Sequence, residues 1–193
     1  MSVETSVIST LIAEHFGEAI EELGFSHGVH AYAAPPDRLV ELCRLLKEHP
    51  ALRFDFLSDI CGVDLYPETP RYEAVYHLYS LPNKWRVRIK CRLADPPQVP
   101  SVTGVWRTAN WHEREAWDMY GIKFEGHPDL RRIYMWEGFE GFPQRKDFPL
   151  RGYKDELNPF GAEGPPPHQP DLATRDIPSG GRSTPDTSDD RSH

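Results

Sequence analysis

Between Tyr72 and Leu93 two segments, YEAVYHLYSL and WRVRIKCRL, are rich in aromatic and β-branched residues and are separated by Pro82-Asn83. In the second, Val87, Ile89 and Cys91 alternate with Arg86, Arg88, Lys90 and Arg92. A period of two places the apolar set on one face and the cations on the other. The pair therefore predicts two antiparallel strands, with one face of the second buried and the other polar. Other parts of the chain have to cover the buried face.

Helices are available to do so. From Thr5 to Leu23, Val7, Ile8, Leu11, Ile12, Phe16, Ala19, Ile20 and Leu23 recur at helical spacing, and Gly24 suits a left-handed stop. Phe25 to Ala34 reads as a strand closed at Pro35-Pro36. A second helix starts at Pro36-Asp37 and carries a stripe of Leu39, Val40, Leu42, Cys43, Leu45 and Leu46 up to Pro50. It is expected to lie on one face of the sheet. For the segment from Phe54 through Ile60, Cys61 and Val63 to Leu65, pattern alone does not separate strand from short helix.

After Asp95-Pro96-Pro97, Asn110 stands three residues before Glu113, the spacing of a capping box, which predicts a short helix from Trp111 to Tyr120 stopped by Gly121. Trp117 and Tyr120 share a face with Glu113 and Ala116, while Arg114 and Asp118 are spaced to pair at i, i+4. Beyond Phe124 the periodicity ends, yet aromatic, Gly, Pro and charged residues stay dense through EGHPDLRRIYMWEGFEGFPQRKDFPLRGY. Aromatics in an irregular, proline-stiffened segment need a surface to bury against, so this stretch predicts a docking arm. From Gly161 the chain turns to Pro, Ser, Asp and Gly, a composition expected to be disordered alone. The expected organisation is a globular domain over 1–124, an arm over 125–160 and a tail over 161–193. At 193 residues, one domain plus a tail is the economical division.

Composition narrows the function. A net charge of -8 argues against nucleic-acid binding, which relies on Lys and Arg displacing counterions. No run approaches the roughly 18 apolar residues of a membrane span, and MSVETSVIST lacks the basic start and apolar middle of a signal peptide. The expectation is a chain that stays in the cytoplasm unless a partner holds it at a membrane. The 3 cysteines, Cys43, Cys61 and Cys91, lie in apolar surroundings and suit reduced core thiols. They are also too few for a four-cysteine iron-sulfur cluster. HExxH, CxxC, GxGxxG and GxxxxGK[ST] are all absent from the sequence.

Two groups carry possible chemistry. His112, Glu113, Glu115, Asp118 and His127 crowd one region and could serve acid-base catalysis. The favoured reading of the carboxylates is capping and surface pairing. Arg131, Arg132, Arg145, Lys146 and Arg151 could hold an oxyanion or quinone headgroup, or pair with Asp129, Asp147, Asp155 and a neighbouring chain. The interleaved aromatics favour protein contact.

The stretch ANWHEREAWDMYGIKFEGHPDLRRI followed by WEGFEGFPQRKDFPLRGY closely resembles the C-type subunits of NADH-quinone oxidoreductase, or respiratory complex I, which belong to its peripheral arm. The matching positions are Glu113-Arg114-Glu115, Asp118, Tyr120-Gly121-Ile122, Phe124, Gly126-His127-Pro128, Arg131, Arg132, Arg145-Lys146-Asp147 and Pro149. FDFLSDICGVDL and YEAVYHLYSL resemble the family upstream. The family pattern has a histidine and a leucine where this chain has Phe142 and Gln144.

The resemblance implies an α+β fold, a two-layer sandwich of a mixed, largely antiparallel sheet with helices, plus an extended irregular C-terminal arm lying across the quinone-site subunit. It implies a non-redox structural subunit, with no catalytic centre and no cofactor of its own. FMN and iron-sulfur clusters are expected on partner subunits of a hetero-oligomer held indirectly at the cytoplasmic side of a bacterial membrane. Glu113, Arg114, Glu115, Asp118, Tyr120, His127, Arg131, Arg132, Arg145, Lys146, Asp147 and Arg151 are then interface or structural residues. The alternatives are the equivalent subunit of a related membrane hydrogenase or dehydrogenase, and a stand-alone acid-base enzyme.

Overall fold

The computed structural model describes residues 3–154 and 158–163. Helix α1 (Val3–Phe16) leads through a 3-10 turn (Gly17–Ala19) into strands β1 (Glu21–Ser26) and β2 (Val29–Ala33). Helix α2 (Pro36–Glu48) precedes β3 (Phe56–Asp64), β4 (Tyr72–Ser80) and β5 (Trp85–Leu93). A short β6 (Gln98–Pro100), helix α3 (Ala109–Tyr120) and a short β7 (Lys123–Glu125) follow. The tail beyond Glu163 lies outside the described residues, as does Asp155.

The main sheet runs β1-β2-β5-β4-β3 and is antiparallel except where β2 meets β5; β6 and β7 form a parallel pair. This is the expected mixed, largely antiparallel α+β sandwich. The alternation read in β5 is realised, with Val87, Ile89, Cys91 and Leu93 no more than 1% exposed. They join Tyr32, Ile60, Tyr72, Ala74, Tyr76 and Leu78 in one core. Ile8 and Ile12 of α1, Leu39, Leu42, Cys43 and Leu46 of α2, and Ala109, Ala116 and Trp117 of α3 close that core from a single side. Burial of this apolar area drives the layering. α3 lies along β3, so close that a Cβ on Gly62 would collide with the Tyr120 ring.

Three expectations are corrected. The first helix ends at Phe16, not Leu23, because Gly17 turns left-handed (φ 57) and the residues from Glu21 find backbone partners in β2. Phe25–Ala34 is correspondingly two strand pieces: His27 (φ 53) and Gly28 (φ 77) make a tight reversal between β1 and β2, the two positive φ values favoured in hairpin turns. No capping box opens α3. Its N-cap is Thr108 without a side-chain bond, and Glu113 points into the core instead. Gly121 is the left-handed stop expected of it (φ 74). The Phe54–Leu65 ambiguity resolves as strand because β4 supplies a ladder from Phe56–Tyr79 to Asp64–Tyr72.

Candidate functional site

Two carboxylates inside the domain hold the irregular segment that follows β7. Asp118, on the last full turn of α3, is 0% exposed. Its Oδ2 accepts the consecutive backbone N–H groups of Ile133 (2.9 Å), Tyr134 (2.8 Å) and Met135 (3.0 Å), and its Oδ1 accepts Arg132 Nη1 at 2.6 Å. Burial pushes the carboxyl pKa up, but these donors outweigh it and hold the group below the ordinary aspartate range. Three consecutive backbone donors of a segment with no helix or sheet of its own are therefore satisfied by one side chain.

Arg132 completes the junction. Its Nη2 donates to the carbonyls of Phe139 (2.9 Å) and Gly141 (3.2 Å), and its guanidinium lies over the rings of Trp117, Phe139 and Phe142. Arg114 does not pair with Asp118 as its spacing suggested. It reaches from α3 to the carbonyls of Arg131 and Arg132, both at 3.1 Å, because Asp118 is already filled by the arm.

The second anchor is Asp64 at the end of β3, which sequence reasoning missed. It accepts Arg71 Nε (2.9 Å) and Nη2 (2.7 Å), Tyr66 N–H (3.0 Å) and Lys146 N–H (2.8 Å). Burial opposes ionisation, but Arg71 and the two N–H groups bring its pKa down to about 2. Arg71 also grips Asp147 with both Nη atoms, at 3.1 and 2.9 Å. One arginine thus joins the domain to the arm through two forked contacts. The only hints in sequence are the prolines Pro67 and Pro70, which mark a turn between Asp64 and Arg71. No local spacing links either residue to Asp147.

Arg145 lies between these anchors, donating from Nε to the Tyr120 carbonyl (2.7 Å) with its guanidinium over the rings of Tyr72 and Phe142. Phe142, one of the two residues that depart from the family pattern, is 4% exposed. It packs where a Cβ at Gly121 would stand, so that position needs glycine for space as well as for φ.

The remaining candidates scatter. Glu113 is 0% exposed and accepts Val102 N–H and Ser101 Oγ–H, each at 2.7 Å; burial lifts its pKa to about 7 against these two bonds. The expected capping and surface-pairing role fails for Glu113 and Asp118 because both side chains turn inward. His127 accepts Asp129 N–H at Nδ1 and donates from Nε2 to the Asn110 carbonyl, and burial lowers its pKa. His112 stands 3.2 Å from Asp59 on β3. Glu115 is half-buried near Cys61. The five groups read as a possible acid-base cluster thus serve separate partners. Arg131 pairs with Asp129 at the surface, Lys146 Nζ donates to the Tyr66 carbonyl, and the exposed Arg151 lends only its carbonyl, to Asn158. Tyr120 acts through its ring on Gly62 and its carbonyl on Arg145.

Along the arm, Trp136, Phe139, Phe148 and Tyr153 follow one another ring to ring at 4.8, 5.9 and 5.2 Å. Tyr134 (61%) and Trp136 (45%) remain exposed on a segment whose polar groups are largely held from within. The arrangement presents aromatic surface on a braced backbone, which suits protein contact.

Residues 32–154 match the family model for the 30 Kd subunit of respiratory-chain NADH dehydrogenase. The chain is 79% identical over 187 residues to the second C-type subunit of NADH-quinone oxidoreductase from Rhizobium etli, covering 97% of this chain and 100% of that one. It is 79% identical over 182 residues to the protein of the same name from Rhizobium meliloti, covering 94% and 100%. Among solved structures, the trypsin-resistant fragment of Nqo5 aligns at TM-score 0.52 and 34% identity, over 65% of this chain and 98% of the fragment. An archaeal respiratory membrane complex, the membrane-bound sulfane sulfur reductase, contains a chain with the same fold (TM-score 0.65, 23% identity, 76% and 85% covered).

Proposed function

Because the chain belongs to the family of the 30 Kd subunit of respiratory-chain NADH dehydrogenase, we propose that it is a non-redox structural subunit of a proton-translocating NADH-quinone oxidoreductase. Its arm docks on the subunit that holds the quinone site, and it supports electron transfer from NADH to quinone without taking part in it. FMN and iron-sulfur clusters reside on its partners, and the chain sits on the cytoplasmic side of the membrane through those partners. The observation that carries the reading is an arm braced from within by Asp118 and Asp64 while Tyr134 and Trp136 face outward. Such an element is ready to be buried against another protein. Three thiols, two of them fully buried in the core, cannot ligate a four-cysteine cluster. Among the described residues no helix is long and apolar enough to cross a membrane.

The test is to tag the chain in its native host, solubilise membranes gently and measure partners, flavin, iron and NADH-quinone reductase activity. Co-purification with an active flavin and iron-sulfur enzyme, with both cofactors absent from the separated chain, is the expected result. Recovery as a partner-free protein would overturn it. An active complex that rejects NADH would favour the related membrane hydrogenase or dehydrogenase instead.

A further inference from the structure

The outward face of the main sheet takes no part in the core. Val75 in β4 is 7% exposed yet stands apart from the core cluster that the three helices close. The ladders place Arg88 between Ala31 and His77, Lys90 between Ala33 and Val75, and Arg92 opposite Glu73. The outward side chains of β5 are thus Arg86, Arg88, Lys90 and Arg92, a column spaced about 7 Å apart.

This column is short of anions. Across β2, β5 and β4 the outward positions hold these four cations and one carboxylate, Glu73, while the flanking strands add Glu21 opposite Ala33 and Asp59 opposite His77. Glu73 is shared between Lys90 (3.4 Å) and Arg92 (3.0 Å), and Arg92 also reaches Glu68 from a loop. Arg86 lies over the Tyr79 ring, and Arg88 Nε is buried from solvent without a hydrogen-bond partner among the described residues. A chain of net charge -8 has here gathered four cations on one strand, and among the described residues neither Arg86 nor Arg88 forms an ion pair with a carboxylate. On one flank of the column, β2 offers only Val29, Ala31 and Ala33, so a shallow trough of small side chains runs beside the guanidinium groups.

We propose that this face is a second interface, separate from the arm, and that it takes an acidic segment of a neighbouring polypeptide laid along β5 over the Val29, Ala31 and Ala33 trough. Small residues let the segment approach, and Arg86 and Arg88 supply forked donors for its carboxylates. The placement of the chain in a multi-subunit enzyme is presupposed, and the test separates the two ideas because it starts from assembled enzyme.

Carbodiimide, which joins an amine to a carboxylate in direct contact, is applied to purified enzyme, and the products of Lys90 are identified by mass spectrometry. The expected result is a Lys90 link to an Asp or Glu of another chain, reduced at least tenfold in R86Q/R88Q enzyme and in enzyme carrying Ala31→Tyr, which fills the trough without changing charge. Assembled enzyme in which Lys90 links only to Glu73 of its own chain, or to nothing, would overturn the proposal. Cosedimentation of the full chain with phosphatidylglycerol vesicles, lost in R86Q/R88Q, without a link to another chain would overturn it in favour of lipid headgroups.

Discussion

Glu113 is a carboxylate surrounded by core, with Cys43 and Tyr76 among its neighbours and two hydrogen bonds for its oxygens. Burial raises its pKa from the ordinary 4.5 to about 7. A carboxyl whose folded pKa is raised holds its proton more tightly folded than unfolded, so stability falls as pH rises from about 4.5 to about 7 and stays lower above that. The difference, 7 minus 4.5, corresponds to about 3 kcal/mol at most. Glu113→Gln preserves an acceptor for Val102 N–H and adds a donor for Ser101 Oγ. It should therefore flatten the pH dependence across that window and raise the melting temperature at pH 8. Thermal denaturation of wild type and variant at pH 5 and pH 8 checks this; an equal loss at both values would contradict it. The same residue shows how spacing misleads. Asn110 and Glu113 have the separation of a capping box, yet the loop at Ser101-Val102 offered Glu113 buried donors and the cap was never made.

At the scale of elements, α3 acts less as cover for the sheet than as a post to which the arm is tied. Its inner side joins the core through Ala109, Ala116 and Trp117, while Arg114 and Asp118 reach the backbone of residues 131–135. Asp118→Ala removes one acceptor from three backbone N–H groups and the partner of Arg132 together. Breaking a buried charged junction of this kind costs about 3–5 kcal/mol. The expected outcome is a lower melting temperature and faster hydrogen exchange at Ile133, Tyr134 and Met135, with strands β3, β4 and β5 still protected. Unchanged exchange at those three amides would show that the arm is held by something else.

At the scale of the whole molecule, the residues that brace the arm differ from those proposed to dock it. Arg71, Asp118, Arg132 and Arg145 hold the arm in place, so charge reversal at Arg145 or Asp147 disturbs the chain's own structure before it disturbs any partner. Exposed Tyr134 and Trp136 make the cleaner test. The double variant Tyr134→Ala and Trp136→Ala should keep its stability within about 1 kcal/mol of wild type, as exposed substitutions do, yet lower the yield of assembled enzyme several-fold. Native gel electrophoresis of solubilised membranes measures that yield. Assembly at the wild-type level would move the docking surface away from this part of the arm.

Periodicity made α2, β4, β5 and α3 legible, because a strip of apolar side chains repeats at the pitch of the element it buries, and the left-handed stop at Gly121 is equally local. Residue types in the arm, with aromatics and cations set among Gly and Pro, likewise marked it as a segment needing a surface. The partners of its charges were beyond local reading. Asp64 meets Lys146 and Arg71 meets Asp147 across separations of 82 and 76 residues, and β1 became a strand only because β2 stood beside it. Local pattern records which face of an element must leave water, and this chain's sequence determined its layers on that basis. Which carboxylate receives which donor depends on where the folded layers bring chain ends and loops together, and only the tertiary structure decided that.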